Sequence, residues 1–221
     1  MPPTALPRPD RRRMLALLAL CRLAGPARAQ GFDLAQLMET LAQVQAGEAT
    51  FTETRTVTTL DRTLMSSGRL SFHAPDTFVR ETLRPSQEKI AVTGNDVTMS
   101  RGSRSRTVPL DSVPEAAVIM EAIRGTLTGN RVAIDRNFSS AVSGTAQHWT
   151  LELKPRDMRL AQLVTAVRVS GENATLREVA VALASGDRSV MSISPLAAPG
   201  MAPTAAPASG PASGPASGPA G

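Results

Sequence analysis

The chain has no tyrosine, one tryptophan, one cysteine and two histidines in 221 residues, and aromatic side chains make up only 3% of it. Each shortage removes a class of protein. A single cysteine cannot build a disulfide framework or a cysteine-rich metal site, and two histidines do not furnish a multi-histidine zinc centre. So few aromatics leave little with which to stack on nucleic-acid bases. The apolar fraction of 42% rules out a wholly disordered chain. The first apolar run, Met14 to Leu20, is far shorter than the roughly 20 residues of a membrane-spanning helix.

The formal charge of +5 and the isoelectric point near 10.8 invite a nucleic-acid reading, until the charge is located. Arg8, Arg11, Arg12, Arg13, Arg22 and Arg28 fall within residues 1–29 against one acid, Asp10. The apolar run follows Arg13, then Gly25 and Pro26, then Ala27-Arg28-Ala29. A basic segment, an apolar segment and small residues at an A-x-A site describe a secretory signal peptide over residues 1–29, cleaved before Gln30. Arg11-Arg12-Arg13-Met14-Leu15 loosely fits a twin-arginine signal, so the export route stays open. Cys21 follows Leu20, where a lipidation site needs a small residue, and it is expected to leave with the signal peptide. Beyond residue 29 acidic and basic side chains balance. Nucleic acid drops out as a partner.

From Pro195 the composition turns to Pro, Ala, Ser and Gly, with Pro207-Ala208-Ser209-Gly210 recurring at 211 and 215. Residues 195–221 read as a disordered tail or spacer. One domain remains, residues 30–194. Asp33 is placed to cap a helix whose apolar stripe is Leu34, Leu37, Met38, Leu41 and Val44, with Gly47 as its stop. Period-two runs follow from Ala49 to Met99, separated by turn residues at Asp61-Arg62, Pro85-Ser86 and Gly94-Asn95-Asp96. A second helix is expected from Ser112, with Ser112 and Glu115 as a capping box and Ile119, Met120, Ile123 and Leu127 on its apolar face up to Gly129-Asn130. Strands resume at Trp149 and continue through turns at Gly171-Glu172-Asn173 and Ser185-Gly186-Asp187. This order gives an α+β fold, a large antiparallel sheet with helices against one face.

Chemistry is scarce. No phosphate-binding glycine loop occurs, and without Cys21 no thiol remains. His73 and His148 read as structural histidines, with a metal pair as the alternative. Glu53, Glu81, Glu152 and Glu178 alternate along strands, the pattern of a solvated face. Arg101, Arg104 and Arg106 cluster in a hairpin that reads either as a solvated tip or as a docking patch for an acidic partner. No catalytic residue, metal or cofactor is expected. The chain reads as a non-enzyme with an apolar inner surface.

Phe51-Thr52-Glu53-Thr54 is followed by Gly68-Arg69-Leu70-Ser71-Phe72-His73-Ala74-Pro75-Asp76-Thr77-Phe78-Val79-Arg80, by Pro85-Ser86-Gln87, and by Ile90-Ala91-Val92-Thr93-Gly94-Asn95-Asp96-Val97. Trp149 to Pro155, Gly171 and Gly186-Asp187-Arg188-Ser189 continue the succession. In order and spacing this resembles the family of periplasmic outer-membrane lipoprotein carriers, LolA, over nearly all of residues 31–194. The resemblance implies a strongly curved, incompletely closed antiparallel barrel with helices as a lid over a hydrophobic cavity. It implies a soluble periplasmic monomer that takes acyl chains of a lipoprotein or another lipid from an inner-membrane donor to an outer-membrane acceptor. Divergent relatives beside lipid-export proteins make another acylated or polyene cargo the alternative. A non-catalytic adaptor of an envelope complex is the second reading.

The residues expected to line such a cavity are Leu70, Phe72, Phe78, Ile90, Val92, Ile119, Ile123, Trp149, Leu151, Val167 and Val169, each of which plain core packing would also explain. The family usually carries a basic residue just before the proline of the second strand, where it latches the lid. Here that position is Ala74, which leaves Arg69 or Arg80 as candidates, with Arg101, Arg104 and Arg106 as further lid or partner contacts.

Overall fold

Asp33 begins the first helix as its place ahead of the apolar stripe requires. In the computed structural model, which describes residues 32–60 and 62–196, the Asp33 carboxylate accepts from the Gln36 N–H at 2.9 Å. The Gln36 side chain accepts in return from the Asp33 N–H, closing a capping box. Helix α1 (Leu34–Leu41) buries Leu37, Met38 and Leu41. It stops well before Gly47, because the Gln45 carbonyl already accepts from Ala74 and the first strand starts at Ala46. The readings of residues 1–29 as a signal peptide and of tail residues 197–221 lie outside the described residues, but Pro195, read as the start of the tail, ends the strand Arg188–Pro195 and pairs with Ala49.

Six strands follow as a meander: β1 (Ala46–Val57), β2 (Arg62–His73), β3 (Thr77–Arg84), β4 (Glu88–Thr93), β5 (Asp96–Arg101) and β6 (Arg104–Pro109). Helices α2 (Pro114–Leu127) and α3 (Arg131–Asn137) lead to β7 (Phe138–Gly144) and β8 (Trp149–Pro155). The short α4 (Met158–Ala161), then β9 (Val164–Glu172), β10 (Thr175–Leu183) and β11 (Arg188–Pro195) complete the described elements. All eleven strands form one antiparallel sheet in the order β6-β5-β4-β3-β2-β1-β11-β10-β9-β8-β7. The first and last strands are neighbours at its middle, and the sheet does not close, since β6 and β7 are its two free edges.

The sheet must curve strongly. One face of α2 packs through Ala116, Ala117 and Met120 against Val92 and Val97 on β4 and β5, and another through Val118 and Ala122 against the β8 and β9 core. From β5 to β8 a flat sheet would measure about 38 Å at the usual strand spacing. A helix of 14 residues spans about 21 Å. It reaches both only if the sheet bends around it.

Registers assign every side chain to a face. Ala49, Phe51, Glu53 and Arg55 share the inner face with Leu70, Arg80, Ile90 and Ile193, while Thr50, Thr52, Arg69 and Ser192 lie outside. Antiparallel pairing also gives the sheet two ends. The β1–β2, β3–β4, β5–β6, β8–β9 and β10–β11 connections lie at one, here the tip end. The β2–β3, β4–β5, β7–β8 and β9–β10 turns lie at the other.

Four local expectations need correction. The second helix starts at Pro114 rather than Ser112: Val113 occupies the cap position, and the Ser112 hydroxyl donates to the Pro109 carbonyl at 2.6 Å within a preceding 3₁₀ turn. Residues 131–144, left without regular structure by the sequence reading, form α3 and β7; Asn130, read there as a stop, caps α3 by accepting from the Ala133 N–H at 3.0 Å. Arg104–Pro109 is an edge strand rather than only a tip. The turn read at Gly171-Glu172-Asn173 pivots on Asn173, in the left-handed region at φ 52°, with Gly171 and Glu172 still in β9.

Candidate functional site

The two halves of the inner face are filled differently. On β7–β10, Phe138, Trp149, Leu151, Leu153, Val164, Val167 and Val169 are 2% exposed or less beneath α1, α2 and α3. Trp149 is fixed there, its indole N–H donating to the Asn173 carbonyl at 2.8 Å. On β2–β6 the closed core shrinks to Val92, Val97 and Leu110, and Phe78, Ile90, Met99, Val108 and Met120 pack on it only half-buried. Leu70 is also half-buried on this side. Phe72, 7% exposed, stacks on Phe78 with ring centroids 5.0 Å apart.

The residues expected to line a cavity therefore divide. Trp149, Leu151, Val167 and Val169 sit in the closed core of the second half, while Ile119 and Ile123 pack against it partly buried. Leu70, Phe78 and Ile90 keep accessible surface on the first half, beside buried Phe72 and Val92. Phe78 and Ile90, with Met99 and Met120, which were not among the residues expected to line a cavity, form a half-open apolar seam between the inner face and α2, and Leu70 lies beside it on β2. Two shallow depressions of roughly 400 and 490 Å³ lie on the opposite, outer face, lined mainly by Thr, Ser and charged side chains.

Beside the seam lies a polar cluster. The Glu53 carboxylate accepts from the Arg80 guanidinium, from the Ser189 hydroxyl and, at 3.1 Å, from the Ser66 hydroxyl. Arg80 crosses Gly68 to get there, and its guanidinium carbon stands 4.8 Å above the Phe51 ring. A side chain at Gly68 would collide with the Glu81 carbonyl, because a bulge brings β3 against it between Ser67 and Gly68. Burial pushes the Glu53 carboxyl up, but the Ser189 hydrogen bond and the Arg80 charge outweigh it and hold the carboxyl below its ordinary range. Glu53 is thus not part of a solvated face, as its alternation with other carboxylates suggested. Glu81, Glu152 and Glu178 are on the outer face; Glu53 shares the parity of Phe51, and that parity was the available signal.

The candidate latch residues separate cleanly. Arg69 pairs with Thr50 and Glu81 on the outer face, away from the helices, so it does not serve. Arg80 faces inward but is committed to Glu53. The side chain that ties α2 to the first half is Arg124, which donates to the Gly94 carbonyl at 2.7 Å in the β4–β5 turn. Arg101, Arg104 and Arg106 line the tip-end hairpin of β5 and β6, exposed. Among the described residues no group of three or more His, Cys, Asp or Glu could hold a metal ion, and no helix is long and apolar enough to cross a membrane. His73 and His148 are exposed on separate strands and turns.

This arrangement defines an α+β half-barrel whose helices cover one face. The family described as outer membrane lipoprotein carrier protein LolA-like matches residues 24–212, and the chain belongs to it. No curated protein sequence matches. Among solved structures it is similar to a LolA superfamily protein from Nitrosomonas europaea, at 10% identity over 74% of this chain and 92% of that one, with a TM-score of 0.40. It is also similar to the lipoprotein LppX of Mycobacterium tuberculosis, at 9% identity over 73% and 92%, with a TM-score of 0.38. The MucA/MucB complex of Pseudomonas aeruginosa aligns at 14% identity over 76% of this chain and 59% of that one, with a TM-score of 0.42.

Proposed function

We propose that this protein is a non-catalytic carrier of acyl chains, exported to the periplasm, which shields a lipid or the lipid moiety of a lipoprotein in the seam between α2 and the inner face of β2–β5. The observation that carries the reading is the unequal filling of the two halves. The second half is a closed core that holds the helices. The first offers half-buried Phe78, Ile90, Met99 and Met120 on facing surfaces that can part without dismantling the fold.

Aliphatic and methionine side chains suit that task. Each methylene taken out of water is worth about 0.8 kcal/mol, so a chain of a dozen carbons needs a covered path. Flexible side chains adapt to it without rigid selectivity, which favours release as well as capture. Glu53 and Arg80 end the apolar strip on β1–β3 with a neutral ion pair, so the cargo's polar end has hydrogen-bonding groups beside it. Membership of the lipoprotein-carrier family supports acyl cargo, and the signal-peptide pattern of residues 1–29 supports export. Donor and acceptor proteins of the inner and outer membranes belong to the same proposal.

Native mass spectrometry of protein gently recovered from the periplasm tests it. A bound mass that dissociates as a lipid or lipoprotein is expected, and Ile90→Asp or Met120→Lys should abolish it. Protein that is mass-pure, and that also fails to take up a fluorescent fatty acid, would sink the carrier reading.

A further inference from the structure

The connections at the tip end share a composition that the seam does not explain. On the first half Arg62, Arg84, Arg101 and Arg104 are exposed at the β1–β2, β3–β4 and β5–β6 connections. On the second, Arg156 and Arg159 flank the start of α4 and Arg188 opens β11, again exposed. The acids there are mostly engaged. Glu88 meets Arg101 at 3.6 Å, Asp187 meets Arg55 at 3.6 Å, and Asp157 caps α4 by accepting from the Arg159 N–H; Asp61 lies outside the described residues. The opposite end has the reverse bias, with Glu48, Asp76, Asp96, Asp111, Glu115 and Glu172 against Arg124 and Arg177. Charge is segregated along the strand direction in a domain whose total is balanced.

Exposed apolar side chains gather at the same basic end. Leu60 is 54% exposed, Leu83 40% and Met158 76%, with Leu64 and Leu163 near them in exposure. The β1–β2 hairpin also projects. It does so on one side: pairing of β2 with β3 stops at Ser67, so Arg62 to Ser66 run about 17 Å beyond that last pair at strand rise, while on the other side β1 stays paired with β11 up to Thr56.

We propose that the tip end docks on an anionic lipid bilayer, with arginines on headgroup phosphates and the projecting β1–β2 hairpin placing Leu60 and Leu64 at the interface. Guanidinium groups match phosphate oxygens in paired hydrogen bonds, and basic residues near an anionic leaflet are drawn to it within a Debye length. The arrangement fits a broad surface better than an acidic protein. The arginines are spread over connections of both halves rather than lining one groove, and the exposed apolar side chains are spread with them, Leu60, Leu64 and Met65 on the β1–β2 hairpin and Leu83, Met158 and Leu163 on other connections. The acidic opposite end is repelled by the same leaflet, which fixes the orientation. The surface does not depend on what the seam holds.

Flotation of the full chain with vesicles tests the proposal. Binding is expected to vesicles of equal parts phosphatidylglycerol and phosphatidylcholine, to be lost in high salt, and to be weak on phosphatidylcholine alone. Arg101→Ser and Arg104→Ser should each lower partitioning about fivefold, while Arg177→Ser at the opposite end should leave it unchanged. Comparing variants of one chain cancels whatever residues 1–29 contribute. A second measurement uses Leu60→Trp, whose emission should shift to the blue on the anionic vesicles. Equal binding to both vesicle types, equal loss for Arg177→Ser, or unshifted emission from a folded Leu60→Trp protein would each overturn the proposal, and an acidic protein would then be the partner to seek.

Discussion

Arg124 on α2 and Gly94 in the β4–β5 turn are joined by a single side-chain hydrogen bond, 2.7 Å from guanidinium nitrogen to carbonyl oxygen, which fastens the helix to the half of the sheet it covers least completely. Arg124→Ala should therefore loosen α2 on that side while leaving its attachment to β8 and β9 intact. A hydrogen bond from a charged donor is worth about 1.5–3 kcal/mol. The expected result is a loss toward the lower end of that range in denaturant unfolding, faster amide exchange in α2 than in α1, and faster exchange of bound fatty acid. Arg124→Lys should recover part of each.

Glu53 makes stability depend on pH in a defined direction. Its carboxyl is held below the ordinary value of 4.5 in the folded protein, so its contribution is fully present above that value and fades as acid protonates the folded group. The wild-type protein should lose thermal stability as the pH falls below about 4.5 more steeply than Glu53→Gln does. At neutral pH the Gln variant, with Arg80 left without its counter-charge, should be less stable by about 1–3 kcal/mol. Parallel melting curves for the two proteins across that range would contradict the assignment.

Gly68 is required by the neighbouring strand rather than by its own backbone angles. Gly68→Ala forces a methyl group into the Glu81 carbonyl, and the bulge must open to admit it. Overpacking of this kind costs about 1–3 kcal/mol. Because Arg80 crosses this position, the variant should also weaken the Arg80–Glu53 pair, seen as a smaller pH dependence than in the wild type.

Truncations should cost unequally in the two halves. Leu151→Ala opens a hole in a region with no exposed surface, and about 2–5 kcal/mol is expected from chemical unfolding. Ile90→Ala removes a side chain that already keeps part of its surface in water, and the cost should be smaller. The same Ile90 variant should lower fatty-acid affinity more than Leu151→Ala does. Trp149, buried beside Leu151, supplies the fluorescence signal for the second half.

Much of the architecture was readable because local chemistry and tertiary packing agree. The α1 cap and stripe, the turns at Gly94-Asn95 and Ser185-Gly186, and the meander before α2 each carry their own signal. Elements whose signal depends on neighbours were not readable. Residues 131–144 mix helix and strand in two short pieces, and only their docking on α1 and β8 selects between them. Arg69 and Arg80 look equivalent in sequence, yet strand parity sends one outward and the other to Glu53. The candidate seam was legible in residue type but not in depth. Leu70 and Leu151 are both aliphatic strand residues, and only the position of the helices makes one accessible and the other sealed.

The adjacency of β1 and β11 at the centre of the sheet sets an order of events. β1 finds β2 within a few residues, but its other edge waits for a strand that begins at Arg188. Non-local pairing of this kind is formed late, after a long loop has been closed. A chain delivered from its N-terminus thus holds two separate half-sheets with open edges until nearly all of it has emerged. The arrival of β11 joins them into one wall, so the inner surface becomes continuous only once that strand has emerged.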